Sequence, residues 1–283
     1  MAFYENTGYS PNFPIIAKKL TDATSLPHWH PEYELSLVCE GSVGMGRNSE
    51  YRVLKKGDIA FCGVGDLHYF NSKGMHSTVV TIIFRPELLG NAVDLSAYKQ
   101  STIPLLDSAA VEELKLEASA LNEMTYCIDS IYKEMSAQRH DYKLFVKADL
   151  IKLFGLFSRH IPKSAIELDG NTAGPRSITL VQSAMKYIEN NYSQDISLDE
   201  ISEYLKISPF YFSRIFSSVT GLTYKNYLNK TRVEKAHNLL ETTTMSVTDI
   251  AYECGYNSLR TFNRAFKELK GSTPSSLRHA ADL

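Results

Sequence analysis

Between about residue 15 and residue 84 apolar and polar positions alternate in short runs rich in Val, Ile, Tyr and Phe. Runs at 34–39, at 44–45 with its neighbours, at 51–54, 58–61 and 78–84 read as strands. Breaks fall at Glu40-Gly41, Arg47-Asn48, Lys56-Gly57 and Lys73-Gly74. Short strands spaced this closely predict an antiparallel barrel or sandwich. After Asp107 the period lengthens. Leu114, Leu121, Ile128 and Met135 recur seven apart, with Met124 and Ile131 in the companion position. A second run places Val146, Leu150, Leu153, Phe157 and Ile161 on one face. Two amphipathic helices joined by the polar turn Gln138-Arg-His-Asp141 predict an antiparallel pair. The pair covers the barrel, and its regular seven-residue seam favours a dimer interface as well. Residues 163–176, with Gly170-Asn-Thr-Ala-Gly174-Pro175, have no apolar period and read as a linker.

Beyond the linker Val181, Ala184, Met185, Ile188 and Tyr192 mark another amphipathic helix. The chain then repeats itself. Ser197-Leu-x-x-Ile201 returns as Ser246-Val-x-x-Ile250, offset by 49 positions. Ser208-x-x-x-Phe212-x-Arg214-x-Phe216 returns as Ser258-x-x-x-Phe262-x-Arg264-x-Phe266, and Gly221-x-Thr223 as Gly271-x-Thr273, each offset by 50. A supersecondary unit used twice accounts for such a period. Each copy reads as helix, turn, helix, the outline of a helix-turn-helix. Ser197 and Ser246 suit N-caps, each with an acidic residue three positions on, and Ser208-Pro209 restarts a helix. A linking helix over 222–240 joins the copies, with Arg232 on its inner face as a fold residue.

Charge changes the picture in one place. The net charge of −2 hides 17 Lys and Arg against 21 Asp and Glu in residues 1–175, and 11 against 5 in residues 206–278. A basic segment on a mildly acidic body points to a polyanion for that segment alone. The opening Met-Ala-Phe-Tyr-Glu-Asn has no secretory pattern, and no apolar run is long enough to span a membrane. Cys39, Cys62, Cys127 and Cys254 are scattered without a C-x-x-C. A cytoplasmic chain with reduced thiols and no membrane partner is expected.

The densest chemistry is His28-Trp29-His30-Pro-Glu-Tyr-Glu34, followed by Gly41, Gly57 and Gly65-Asp-Leu-His68. Residues of like parity share a strand face, so His28 and His30 converge if that segment is extended. Pro31 interrupts that strand before Glu34. Three readings stand side by side. His28, His30, Glu34 and His68 hold a transition metal. Alternatively they bind a polar small molecule, with Trp29, Tyr33, Tyr69 or Phe70 as stacking surfaces. Or they are structural histidines with nothing bound. The small-molecule reading, with no cofactor, is preferred.

The histidine segments resemble the two cupin motifs, H-x-H-x3-E-x6-G and G-x5-P-x-G-x2-H-x3-N. That resemblance places His28, His30, Glu34 and His68 where metal-binding cupins hold their ion. Gly63 and Ser72 depart from the motif's Pro and Asn. The last third resembles the AraC/XylS family of bacterial transcription regulators. The matching residues are Ala236-x-x-Leu239-Leu240, Ser246-Val-x-Asp249-Ile250-Ala251, Gly255-Tyr256-x-Ser258, Phe262-x-Arg264-x-Phe266-Lys267 and Gly271-x-Thr273-Pro274. Tyr256, Thr261 and Leu277 replace residues usual in the family.

The second resemblance implies two recognition helices entering successive major grooves of double-stranded DNA. By position, Phe210, Ser213 and Arg214 in the first and Arg260, Thr261, Asn263 and Arg264 in the second read base edges. Tyr211 shares the exposed side, and Lys267 suits a phosphate. Arg214 and Arg264 occupy equivalent positions, so one of them alternatively anchors to phosphate or pairs with an acid. The expected fold is multidomain α+β. A cupin-like barrel spans 1–106, a helical dimerisation region 107–162, the linker 163–176 and an all-α double helix-turn-helix 177–283. The implied function is a non-enzymatic, homodimeric regulator that senses a carbohydrate and activates catabolic genes with RNA polymerase as partner. The rival is a metal-dependent cupin enzyme fused to a DNA-binding domain.

Overall fold

A computed structural model of the protein describes residues 9–10, 12–93, 103–161 and 174–281. The chain separates into two compact units, divided in sequence between Gly174 and Pro175. The linker expected at 163–176 lies mostly outside the described residues.

The first unit is built on β1 (Ile15–Thr21), β2 (Tyr33–Arg47), β3 (Glu50–Lys55), β4 (Ile59–Cys62), β5 (His68–Asn71) and β6 (Ser77–Phe84). Every pairing among them is antiparallel. β2 organises the rest. Its first half pairs with β4 and β6, its second half with β3 and β5, and β1 lines up on β6. Two sheets thus share one strand. The break predicted at Glu40-Gly41 is not a chain reversal, because β2 runs through it with a register shift between Val38 and Glu40. Gly41 sits there at φ +69°, where a Cβ would lie 1.9 Å from the His76 carbonyl oxygen. Only glycine fits that bend. β1 and β5 were not among the expected strands. β1 carries the solvated Lys18-Lys19 pair, and β5 is four residues long, so neither has a strong alternating signature.

The two-residue period of β2 divides its side chains between two cores. Tyr33, Leu35 and Leu37 join Ile59, Phe61, Val80, Ile82 and Phe84 against the helices. Val38, Val43 and Met45 meet Leu54, Ala60, Cys62, Phe70 and Val79 in a second cluster drawn from both sheets. Tyr33 therefore belongs to the helix-facing core, stacked on Phe61 and Phe84, and is not a stacking surface for the histidines.

Three helices follow: α1 (Ser108–Glu113), α2 (Ala118–Ala137) and α3 (Tyr142–His160). The turn Gln138–Asp141 joins the last two as expected, with Gln138 and Asp141 both at positive φ. The seven-residue seam is corrected in two ways. Leu114 ends α1 and is not on the same helix as Leu121, the chain turning at Lys115 with φ 50°. Met124, Ile128 and Ile131 are fully buried in the helix-facing core, so they cannot also meet a second chain. Seven-residue spacing serves an internal sheet-and-helix contact as well as a coiled coil, and here the sheet takes it.

The second unit is helical: α4 (Pro175–Asn191), α5 (Leu198–Leu205), α6 (Pro209–Thr220), α7 (Tyr224–Thr242), α8 (Val247–Glu253), α9 (Leu259–Lys270) and α10 (Pro274–Ala281). Ser197, Ser208, Thr223, Ser246 and Ser258 each cap a helix by accepting the backbone N–H three residues on. The Glu200 side chain does not reach back to complete a capping box; it accepts from the Tyr187 hydroxyl at 2.5 Å. Gly221 and Gly271 end α6 and α9 in the left-handed conformation. α5–α6 and α8–α9 are the two helix-turn-helix units, and α10 was not expected. The kept positions of the repeat, Ile201 with Ile250, Phe212 with Phe262 and Phe216 with Phe266, are all fully buried. Among the described residues no helix is long and apolar enough to cross a membrane.

Candidate ligand cluster and nucleic-acid interface

The histidine segment is held beside β5 without being a regular strand. Ser25 N–H donates to the Phe70 carbonyl, and Ser25 Oγ accepts from Phe70 N–H. His28 and His68 then exchange both backbone hydrogen bonds, at 3.1 and 2.9 Å. This bridge puts the His28 and His68 rings 4.4 Å apart, and His30 stands 4.9 Å from His68. The chain bends at Pro31–Glu32 and enters β2. Glu34 lies on the same side of β2 as Ser36 and Val38, so it reaches the three rings despite the bend. His28, His30, Glu34 and His68 thus form one cluster, each offering a donor atom within 4.8 Å of every other.

Its hydrogen bonds are ordered. The Nδ1 atoms of His28, His30 and His68 donate to the carbonyls of Leu26, Glu32 and Asp66 at 2.7, 3.2 and 2.8 Å. The Nε2 atoms of His30 and His68 both meet Glu34 Oε2, at 3.2 and 3.1 Å. Ser36 Oγ donates to Glu34 Oε1. Burial works to raise the Glu34 carboxyl, but His68 and His30 outweigh it and hold it well below its ordinary value. Burial likewise works against a charged His68, yet its neighbours raise it well above the usual range. The Cys62 thiol beside it is pushed up by burial and stays protonated, so Glu34 is the charge that holds His68. His28 goes the other way, down to about 3, through burial and then the charge on His68.

One expected member is placed differently. Tyr69 alternates with His68 on β5 and lies on the opposite face, stacked on Tyr51 and pressed against Gly46. It is removed from the ligand set. Trp29 is partly buried between the two histidines. Cys62 was missed. Its register with Glu34 across β4 and β2 brings it to His68, and no spacing in the sequence announces that pairing. Glu32 is a second buried carboxylate nearby, accepting from Tyr9 and Arg85 and standing 3.6 Å from His30 Nδ1.

In the second unit the two recognition helices, α6 and α9, share a buried side and differ on the exposed one. Phe210 is 78% exposed, and Ser213, Arg214, Arg260, Thr261, Asn263, Arg264 and Lys267 are exposed with it. The Arg214 guanidinium lies over the half-buried Tyr211 ring at 5.6 Å. The Thr261 hydroxyl is engaged with the cap Ser258 at 2.9 Å. Other basic residues face inward. Arg232 donates to the carbonyls of Tyr192 and Gln194, each at 2.7 Å, and covers the Tyr256 ring. Arg278 does the same for Thr243 and Met245. In both units an arginine from the helix after the recognition helix pins the loop before the first helix. Tyr256, where the family usually has Phe, uses its hydroxyl to donate to Asn229 Oδ1 at 2.7 Å.

A sheet domain with a buried polar cluster, carried on the same chain as two helix-turn-helix units, is the make-up of a ligand-responsive transcription regulator. Residues 11–154, just over half of the chain, match the model of the AraC-like ligand binding domain, and residues 201–280 match a helix-turn-helix domain. The chain is 23% identical over 242 residues to the uncharacterized HTH-type transcriptional regulator YpdC of Escherichia coli (strain K12), covering 85% of this chain and 79% of that protein. It is 37% identical over 98 residues to an uncharacterized HTH-type transcriptional regulator of Staphylococcus aureus (strain MSSA476), which is 35% of this chain but 13% of that protein. Among solved structures, the C-terminal domain of AraT, a response regulator from Geobacillus stearothermophilus, is 35% identical. It covers 36% of this chain and 84% of that one, with a TM-score of 0.35. The chain belongs to the AraC family of transcriptional regulators, with a DNA-binding domain and a ligand-binding domain.

Arg232→Met is expected to destabilise the second unit by about 1.5–3 kcal/mol, the scale of hydrogen bonds made by a charged group. Urea unfolding would measure it. The salt dependence of DNA binding should stay unchanged, whereas loss of a phosphate contact would lower its slope by about one.

Proposed function

We propose that this regulator reads one asymmetric DNA site with two unlike heads and answers a small ligand bound in its first unit. The observation that carries the reading is the repeat itself: matched buried residues under mismatched exposed ones. Phe210 faces Arg260 in the comparison, Tyr211 faces Thr261, and Ser213 faces Asn263. Arg and Asn suit paired hydrogen bonds to guanine and adenine, while an exposed aromatic suits thymine methyls. On this reading Phe210, Tyr211, Ser213 and Arg214 serve the first segment. Arg260, Thr261, Asn263 and Arg264 serve the second, and Lys267 holds a phosphate.

The effector is a carbohydrate, held by polar groups of the first unit, and the outcome is activation of genes for its use in concert with RNA polymerase. Family resemblance supports these two steps. The regulator reading stands above the fused-enzyme reading because the relatives are named as transcriptional regulators. The protein acts as a homodimer. With Met124, Ile128 and Ile131 of the predicted seam buried, we assign the interface to α3, where Leu144, Ala148, Ile151 and Gly155 form an exposed stripe beside Phe145. Leu144 and Phe145 are 66% and 55% exposed, more than their apolar surface favours.

Arg264→Ala should weaken binding to a cognate operator by about 1–3 kcal/mol in a mobility-shift titration. An equal loss on random DNA would reassign Arg264 to phosphate. Ile151→Asp should give folded monomers by sedimentation; an unchanged dimer would place the interface elsewhere. Across a panel of sugars, one present at 100 times its dissociation constant should stabilise the first unit by about 2.7 kcal/mol in thermal unfolding. No shift with any sugar would remove the carbohydrate effector.

A further inference from the structure

We propose that Tyr192, Gly255 and Tyr256 lock the two helix-turn-helix units to each other, so that the angle between the recognition helices is set before DNA arrives. The lock is a property of the free protein. Its consequence at DNA rests on the two-headed reading above.

The repeat isolates the feature. The residue that turns the chain between the two helices is left-handed in both copies, Lys206 at φ 55° and Gly255 at φ 79°. The two sit at the repeat's offset of 49 and make the same backbone bond. Lys206 N–H donates to the Glu203 carbonyl and Gly255 N–H to that of Tyr252. A lysine with an exposed side chain takes this conformation in the first copy, so conformation alone does not call for glycine in the second. Contact does. A Cβ on Gly255 would lie 2.8 Å from the carbonyl oxygens of both Tyr192 and Ser193. Those carbonyls belong to the loop between α4 and α5, which leads into the first helix-turn-helix. The turn of the second therefore rests on the backbone that introduces the first.

Side chains close the joint. Tyr192, just past the end of α4, packs against the core built by α7, α8 and α9, and Lys235 Nζ lies over its ring at 5.8 Å. Arg232 holds the carbonyls of Tyr192 and Gln194 and covers the Tyr256 ring. Tyr256 is buried, and its hydroxyl donates to Asn229 Oδ1. Asn229 lies two residues past Tyr227, through which α7 packs on Phe216 of the first helix-turn-helix. A phenylalanine at 256 would keep the packing and lose this bond.

α7 by itself joins the heads through one helix, and a single connection leaves each head free to pivot. A second crossing, away from the helix axis, restrains that pivot. On the two-headed reading, a fixed angle lets both recognition helices meet DNA only at one rotational phase. One added base pair turns the second DNA segment by about 35°.

The test reads the lock first without DNA. Full-length protein carrying Cys39→Ser is labelled with nitroxides at Ser218→Cys on α6 and Glu268→Cys on α9, exposed and repeat-equivalent positions. The other three cysteines are buried. Labelled chains are diluted in unlabelled protein, and pulsed dipolar spectroscopy reads the distance within one chain. The expected result is one narrow distribution that broadens or splits in Tyr192→Ala. A broad distribution in the parent protein overturns the lock, and so does an unchanged narrow one in a folded Tyr192→Ala. Should Tyr192→Ala fail to fold, Tyr256→Phe decides by the same two outcomes.

DNA then separates the lock from the reading it serves. A duplex selected by the wild-type protein from a random pool is rebuilt with one base pair inserted between its two protected segments. The wild type should bind the rebuilt duplex about tenfold or more weakly, the scale of one lost base-pair match. Tyr192→Ala should show a smaller ratio between the two duplexes, whereas a purely stabilising role would lower binding to both alike and keep the ratio. An unchanged ratio in a loosened Tyr192→Ala overturns the lock as the determinant of spacing. Protection of a single segment, or no loss on insertion, removes the two-headed reading, and the distance measurement still decides the lock.

Discussion

A carboxylate taken out of water sets the terms for the first unit. Glu34 is 3% exposed, and an ion withdrawn to that degree costs several kcal/mol unless charge and hydrogen bonds compensate. The compensation comes from three directions in the chain: His30 before the bend, His68 at the start of β5, and Ser36 two residues along the same strand. Much of the local architecture delivers those partners. Ser72 Oγ donates to the Ala23 carbonyl at 2.6 Å, and the His28–His68 bridge holds the 25–30 segment against β5. Further along the same side of β2 the lining becomes apolar at Val38. The polar end is thereby a confined place on an otherwise hydrophobic strand.

The second unit solves a different problem with the same economy. Its first helices, α5 and α8, are each shorter than nine residues and supply little cohesion alone. Arg232 and Arg278 fasten the loops ahead of them by gripping carbonyl pairs. Lys270 is occupied with Glu234 at 2.7 Å. The surplus of basic residues over 206–278 therefore overstates what can reach a phosphate, because part of it is committed to holding the helices in place. Arg214, Arg260, Arg264 and Lys267 remain exposed on the recognition helices.

The repeat, both helix-turn-helix units and the buried positions of α5, α6, α8 and α9 were legible because a helical period of three to four residues and N-capping serines are local signals. The identity of the four clustered donors was legible too. Their mutual contact was not, since it depends on a bend at Pro31–Glu32 and on the backbone bridge between His28 and His68, far apart in the sequence. Tyr69 illustrates the limit. Its neighbour His68 is in the cluster, but a single step along a strand reverses the face. The α2 seam illustrates another: Ile128 repeats every seven residues whether it meets a second chain or its own sheet. Cys62 gave no warning at all, for its partner is set by register alone.

α7 belongs to both cores of the second unit: Tyr227 packs on Phe216 of the first, while Val233, Ala236 and Leu240 join the second. Nineteen residues of continuous helix span about 28 Å, close to the rise of one turn of B-form DNA, about 34 Å. In the DNA-binding mode proposed above, the helix serves as a gauge between the two heads. On the proposed DNA-binding mode, two segments spaced by a whole turn meet both heads at once. Segments displaced by half a turn present one of them to the far side of the duplex, beyond what a rigid gauge can follow. On that mode, spacing counts as much as base sequence in what is recognised.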